Sequence, residues 1–297
     1  MFEKVLVPLD FSQYSQKILD RMGEVPGIRK VVLLHVIDAT RPAGLVWKDG
    51  HPQLKNTQLL MAEKKEFLER LGFDVDTRMD IIVNAITQGT VAHAILETAE
   101  TEKVSLIVIG ARGINPIQEL LLGSVSSSVL RQAKTNVLIM HFHHSTDITR
   151  TAHEPVHQNL FSRVLVPTDF SDSAIEASGF ITRIPGIKEI IFLHVVNRVE
   201  SQKDIDDFLN TAKNRLEQLK TGYSDTGVNF KIHVLVGDPT EMILSIAEKE
   251  DISLIAMSAY GTDWLREIIV GSTTFTVVRR TRRPVLIIRS GEQNNTG

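Results

Sequence analysis

The chain of 297 residues contains no cysteine. Disulfides, thiolate metal centres and a cysteine nucleophile are therefore excluded. Basic charge is not in excess: 33 Lys and Arg stand against 36 Asp and Glu, a net charge of −3. That argues against a nucleic-acid binder, which carries a basic surplus. No apolar run reaches the ~18 residues a transmembrane helix needs. The opening MFEKVLVPLD lacks the apolar core of a signal peptide. The expectation is a soluble cytoplasmic protein that engages neither membrane nor nucleic acid. Three chemical signatures are also missing. There is no G-x4-G-K-[ST] phosphate loop, no G-x-S-x-G nucleophile elbow and no G-x-G-x-x-G dinucleotide fingerprint.

What the sequence does have is a repeat. Residues 2–38 (FEKVLVPLDFSQYSQKILDRMGEVPGIRKVVLLHVID) match residues 161–197 (FSRVLVPTDFSDSAIEASGFITRIPGIKEIIFLHVVN) at a shift of 159, with 14 of 37 positions identical. From Gly89 to Met140 the match continues against Gly237 to Ile288 at a shift of 148. Two copies of one domain follow, in line with the ~150 residues of an ordinary domain. The expected boundaries are 1–142 and 160–291, joined by a polar linker at 143–159. The difference between the shifts gives the first copy 11 extra residues after Asp38. These fall in ATRPAGLVWKDGHPQLKN, residues 39–56, read either as a surface loop or as a flap over a neighbouring site.

In each copy short Val-, Ile- and Leu-rich runs alternate with helix-length segments. In the first they are KVLVP at 4–8, KVVLLHVI at 30–37, FDVDTRMDIIV at 73–83, VSLIVI at 104–109 and NVLIM at 136–140. Most do not alternate in polarity, which predicts strands buried on both faces of a parallel sheet. Helices are expected near 12–23, 54–71, 90–102 and 124–134. In the second of these, Leu60, Lys64, Phe67, Leu68 and Leu71 lie at helical spacing. The fold class is α/β, two tandem doubly wound domains.

Ligands of such sheets bind beyond the carboxyl ends of the strands, where strand order reverses. Two segments of each copy fall there. The first is Pro8-Leu9-Asp10-Phe11-Ser12, repeated as Pro167-Thr168-Asp169-Phe170-Ser171. Its Asp ends a strand; either it or the Ser two residues on caps the next helix. The second is Gly110-Ala111-Arg112-Gly113, nine residues, then Gly123-Ser124, repeated as Ser258-Ala259-Tyr260-Gly261, nine residues, then Gly271-Ser272. Glycines there permit positive φ or close approach to a ligand. Gly123-Ser124 opens a helix whose free N–H groups and positive dipole end suit an anion such as phosphate, with Ser124 and Ser126 adding hydroxyls.

The pattern G-x2-G-x9-G-[ST], with VLVPxDFS opening the domain and LLHV on the second strand, resembles the universal stress protein family, here as a tandem member. The resemblance covers both copies. It implies a five-stranded parallel sheet of order 3-2-1-4-5 in each, and an adenine nucleotide, ATP or AMP, across the ends of strands one, two and four. By it Asp10, beside Pro8, contacts the adenosine and the backbone of Val36 the adenine edge. Gly110 lies against the ribose. Gly113, Gly123, Ser124, Val125 and Ser126 cradle the phosphates, with Arg112 in reach of them. In the second copy Pro167, Asp169, Val195, Gly261, Gly271, Ser272, Thr273 and Thr274 fit the same places, whereas Ser258 replaces the first glycine and Tyr260 stands at the place of Arg112. Any Mg²⁺ would be held chiefly through phosphate oxygens and water.

The implied role is regulatory or protective under stress. The alternatives are a weak ATP hydrolase or adenylyl-transferring enzyme of the same α/β class, and a scaffold with an empty pocket. No residue of the phosphate segment stands out as a general base, and no catalytic residue is assigned. The family's habit of dimerising through the fifth strand implies antiparallel pairing of Val137–His141 with Val285–Arg289, an internal pseudo-dimer. Further association of whole chains is left open. His35 and His194, inside apolar runs, read as hydrogen-bonded core histidines. The histidines of 141–157 read as part of a polar connector, and Arg279, Arg280, Arg282 and Arg283 as a solvated helix end.

Overall fold

KVLVP forms a strand because its three central residues are apolar, β-branched or Leu, and wholly enclosed, with only the ends half-buried. It is the centre of a parallel sheet. A computed structural model describes residues 1–38, 52–82, 90–112, 122–142, 159–197, 202–223, 226–260 and 270–289. The chain divides into two compact units, Met1–Phe142 and His143–Gly297.

The first unit contains β1 (Lys4–Pro8), α1 (Gln13–Asp20), β2 (Lys30–Asp38), α2 (Pro52–Arg70), β3 (Asp74–Ile82), α3 (Val91–Thr101), β4 (Leu106–Gly110), α4 (Ser124–Gln132) and β5 (Asn136–Met140). Its strands pair in parallel in the order β3-β2-β1-β4-β5. The second unit contains β6 (Arg163–Pro167), α5 (Asp172–Thr182), β7 (Glu189–Val196), α6 (Gln202–Thr221), β8 (Asn229–Val236), α7 (Pro239–Lys249), β9 (Leu254–Ser258), α8 (Ser272–Arg280) and β10 (Val285–Ile288). Its order, β8-β7-β6-β9-β10, is the same one. The order turns back between β1 and β4, and between β6 and β9. There the helices leave to opposite faces and a crevice opens at the carboxyl ends.

The outer strands depart from the expected two-sided burial. Along β3 and β8 exposed and covered residues intermix, because each has a strand neighbour on one side only within its unit. Among the described side chains of α2 the enclosed ones are Met61 and Leu68, two turns apart. Leu71, placed on that apolar stripe by its spacing, lies past the helix end and is 49% exposed.

Four helices start where a short polar side chain accepts an orphan N–H. Ser12 caps α1 through the Ser15 N–H (3.2 Å), Thr90 caps α3 through His93 (3.3 Å), Ser171 caps α5 through Ala174 (3.3 Å) and Asp238 caps α7 through Glu241 (3.0 Å). The repeat extends to backbone conformation. Phe11 and Phe170 have φ of 57° and 63°, and Lys103 and Asp251 have 49° and 44°.

At the amino ends of the strands the two units carry matching ion-pair clusters of different charge. In the first, Glu102 holds Lys4 (2.7 Å) and Arg78 (2.9 Å), and Lys30 holds Asp76 (2.8 Å). In the second, Glu250 pairs with Arg163 (2.7 Å) and lies within hydrogen-bond distance of His233 (3.2 Å), and Glu189 holds Lys231 (3.2 Å) and Arg163. The arginines near the end of α8 are mostly engaged: Arg280 meets Glu241, and Arg283 bridges Glu248 and Asp251 at 3.1 Å each.

Candidate functional site

The turn after β1 is built to hold a carboxylate at the crevice. Leu9 continues the ladder by donating its N–H to the Leu34 carbonyl (2.8 Å). Asp10 then folds back, its Oδ1 accepting the Ser12 N–H at 3.0 Å, so Ser12 rather than Asp10 is the helix cap. Between them Phe11 takes a left-handed conformation unusual for an aromatic residue. Its ring lies on His35, centroids 4.5 Å apart. His35 Nδ1 donates to the Leu9 carbonyl at 2.7 Å. Since a carbonyl only accepts, Nδ1 carries the proton. Burial, opposed by that carbonyl and by the Asp10 charge, pushes the imidazole below its usual pKa and keeps it neutral at pH 7.

The second unit repeats this arrangement. Asp169 Oδ1 accepts the Ser171 N–H (3.0 Å), Phe170 lies 4.5 Å from His194, and His194 Nδ1 is 2.8 Å from the Thr168 carbonyl. The guanidinium of Arg215, a residue with no signal in the sequence pattern, covers the Phe170 ring at 4.1 Å. Val36 and Val195 are half-buried near the carboxyl ends of β2 and β7. Pro8 and Pro167 end β1 and β6.

The turn after β4 supplies the anion-facing part. Ala111 donates to the Met140 carbonyl (2.8 Å), and Gly123 donates to the Ala111 carbonyl (2.6 Å). These bonds return the chain to the crevice for the start of α4. Gly123 is the N-cap, with no side chain to satisfy the helix. The first intrahelical bond runs from the Ser127 N–H to the Gly123 carbonyl, 2.8 Å. The N–H groups of Ser124, Val125 and Ser126 precede it and have no acceptor within the helix. α8 begins in the same way, with Gly271 as an uncapped N-cap and Phe275 as the first intrahelical donor (2.9 Å). Along 123–126, and again along 271–274, the residues run half-buried, exposed, half-buried, buried.

Three details differ from the sequence reading. Positive φ is not why glycine stands in these turns: Gly110, Gly123 and Gly271 all lack it. At Gly110 the reason is space, because a Cβ would meet the Arg112 carbonyl at 3.0 Å and Ile18 at 3.4 Å. Second, Ser126 and Thr274 turn their hydroxyls inward, donating to the carbonyls of Gly110 (2.6 Å) and Ser258 (3.1 Å). What they offer an anion is the backbone N–H. Third, Ser258 turns its hydroxyl to its own turn, donating to the Tyr260 carbonyl at 2.6 Å. Tyr260 itself accepts a bond from Arg289 on its hydroxyl at 2.9 Å. Gly113, Gly261, most of the 39–56 segment and the linker up to residue 158 lie outside the described residues.

The site thus combines amide donors at a helix start, an exposed hydroxyl of Ser124 or Ser272, and a carboxylate acceptor held by its own turn. That set suits a ligand with both anionic oxygens and hydroxyl or amino donors. Among the described residues no group of three His, Asp or Glu is placed to hold a metal ion, and no helix is long and apolar enough to cross a membrane.

A family model described as "Universal stress protein family" matches residues 1–141 and 160–289. A universal stress protein of Methanocaldococcus jannaschii is 31% identical over 155 residues, 44% of this chain and 96% of the relative. One from Thermus aquaticus is 44% identical over 144 residues, 47% of this chain and 99% of the relative. The crystal structure of a universal stress protein from Archaeoglobus fulgidus is similar over 99% of both chains, with 25% identity and a TM-score of 0.69.

Proposed function

The chain belongs to the universal stress protein family, and from that premise we propose that it binds an adenine nucleotide, ATP or AMP, in a regulatory or protective stress role. The observation that carries this reading is the start of α4. Three amides without intrahelical acceptors lie there behind an N-cap with no side chain, on the same crevice as Asp10. Helix starts of this kind hold phosphate through N–H donors and dipole together. Asp10 and the Val36 backbone take the adenosine end, and Gly110 leaves room for the ribose. Mg²⁺ comes with the phosphates, bound through their oxygens and water, since the start of α4 contributes donors rather than carboxylates.

The first unit is the tighter site, because it keeps Gly110 and Arg112 where the second has Ser258 and Tyr260. Gly123→Asp places a carboxylate where phosphate sits and lowers ATP affinity at least tenfold in calorimetry. Gly271→Asp has a smaller effect. Unchanged affinity in Gly123→Asp would remove the assignment. Mass spectrometry of gently denatured purified protein tests the same reading, by releasing co-purified nucleotide. The internal pairing of the fifth strands expected from the resemblance belongs to this proposal too. Its test is whether single cysteines placed at 137–141 and 285–289 of this cysteine-free chain cross-link within one molecule.

A further inference from the structure

The two units satisfy the same crevice differently. In the second, Ser171 donates its hydroxyl to Asp169 Oδ1 at 2.6 Å, on the oxygen that also accepts the Ser171 N–H at 3.0 Å. Ser173, on the first turn of α5, donates to the Tyr260 carbonyl at 3.0 Å, and Ser258 donates to the same carbonyl at 2.6 Å. A carbonyl has two lone pairs, so that acceptor is filled. Each hydroxyl owns one proton. The 3.2 Å approach of Ser171 to Ser173 is therefore a contact between two engaged groups rather than a further bond. Together they tie the start of α5 to the turn after β9, across the switch point.

In the first unit these positions read otherwise. Ser173 corresponds to Tyr14, whose ring lies with Phe142 at 6.5 Å. Ser258 corresponds to Gly110, which has no hydroxyl. Among the described residues no hydroxyl donates to the Arg112 carbonyl, the counterpart of the Tyr260 carbonyl, and Asp10 Oδ1 is paired with the Ser12 N–H.

The geometry points to a latch. Ser173 and Ser258 fill with their own hydroxyls the Tyr260 carbonyl, whose counterpart at Arg112 the first unit leaves for a ligand. The chain accordingly takes one adenine nucleotide, in the first unit, while the second holds its crevice in order without one. The latch rests on the nucleotide reading above and names the residues that make the two sites unequal.

Calorimetry with ATP tests it on the full chain. Wild type is expected to bind one ATP per chain. Ser173→Ala/Ser258→Gly, which breaks the tie and restores the glycine of the first unit, is expected to gain a second site. The reciprocal Tyr14→Ser/Gly110→Ser is expected to lose the first site by at least tenfold, so the proposal stays open to refutation even where one variant folds poorly. Two equal sites in wild type would overturn the latch while leaving nucleotide binding in place, as would a serine variant that still binds one. Absence of ATP binding in every protein would overturn the nucleotide reading and the latch with it.

Discussion

Phe11 and Phe170 hold φ of 57° and 63°, a conformation costing an L-residue about 1–2 kcal/mol. Each is held by the residues that shape the crevice. The ring lies tilted against a histidine, and that histidine is bonded to the carbonyl two residues before the phenylalanine. His35 is thus a strut between β2 and the Asp10 turn. Replacing it with Phe keeps an aromatic face against Phe11 but leaves the Leu9 carbonyl without its donor. The expected cost is about 1–3 kcal/mol, measurable by urea denaturation. The sign of its pH dependence follows from burial. The folded-state pKa lies below the unfolded value, so the unfolded chain takes up the proton first. Stability from His35 is full above the unfolded pKa of ~6.5 and is lost as pH falls through the folded value. His35→Phe should flatten the decline of stability between pH 7 and 5; an unaltered slope would show that another group sets it.

At the level of elements, the helices divide by their caps. α1, α3, α5 and α7 begin on Ser, Thr or Asp, whereas α4 and α8 begin on glycine. Asp is a better N-cap than Gly by a few tenths of a kcal/mol, and Gly123 has an ordinary φ of −72°. Gly123→Asp is therefore expected to leave thermal stability unchanged or slightly higher while it lowers nucleotide affinity, which separates a lost site from a lost fold. The clusters at the opposite ends of the strands show how pairing survives a change of sign. Lys30 faces Asp76 on β3, and Glu189 faces Lys231 on β8. Lys30→Glu or Asp76→Lys alone places like charges side by side and lowers the urea midpoint. The double reversal recovers most of it, and added salt shrinks both changes. A double variant no better than the worse single one would mean that the pair makes no contribution. Glu102, held down in pKa by bonds from Lys4 and Arg78, contributes stability present above its unfolded value of ~4.3 and lost as pH falls through the folded one.

For the whole molecule, the repeat made most of the architecture readable. Five apolar runs, in the same order in each copy, marked the strands, and the glycine segments and strand-ending Asp marked the crevice. The remainder rests on contacts between residues far apart in sequence. Ser173 meets the Tyr260 carbonyl across 87 positions, and Arg215 reaches Phe170 from another element; no local pattern encodes either. The inward turn of the Ser126 hydroxyl and the left-handed phenylalanines were hidden for the same reason, since tertiary packing decides them. The contacts of Ser173 and Arg215 are also where the units diverge, and divergence has a consequence that binding data alone do not give. A ligand that binds one native unit stabilises that unit by RT ln(1 + [L]/Kd), about 2.7 kcal/mol at a hundredfold excess over Kd. Amide hydrogen exchange reports such stabilisation segment by segment. With ATP at that excess, peptides from β1, β4 and α4 should slow by up to about a hundredfold, while those from β6, β9 and α8 keep their rates. Equal slowing in both halves would show two occupied sites or a chain that opens as one body. Slowing confined to the second half would reverse the assignment of the working site.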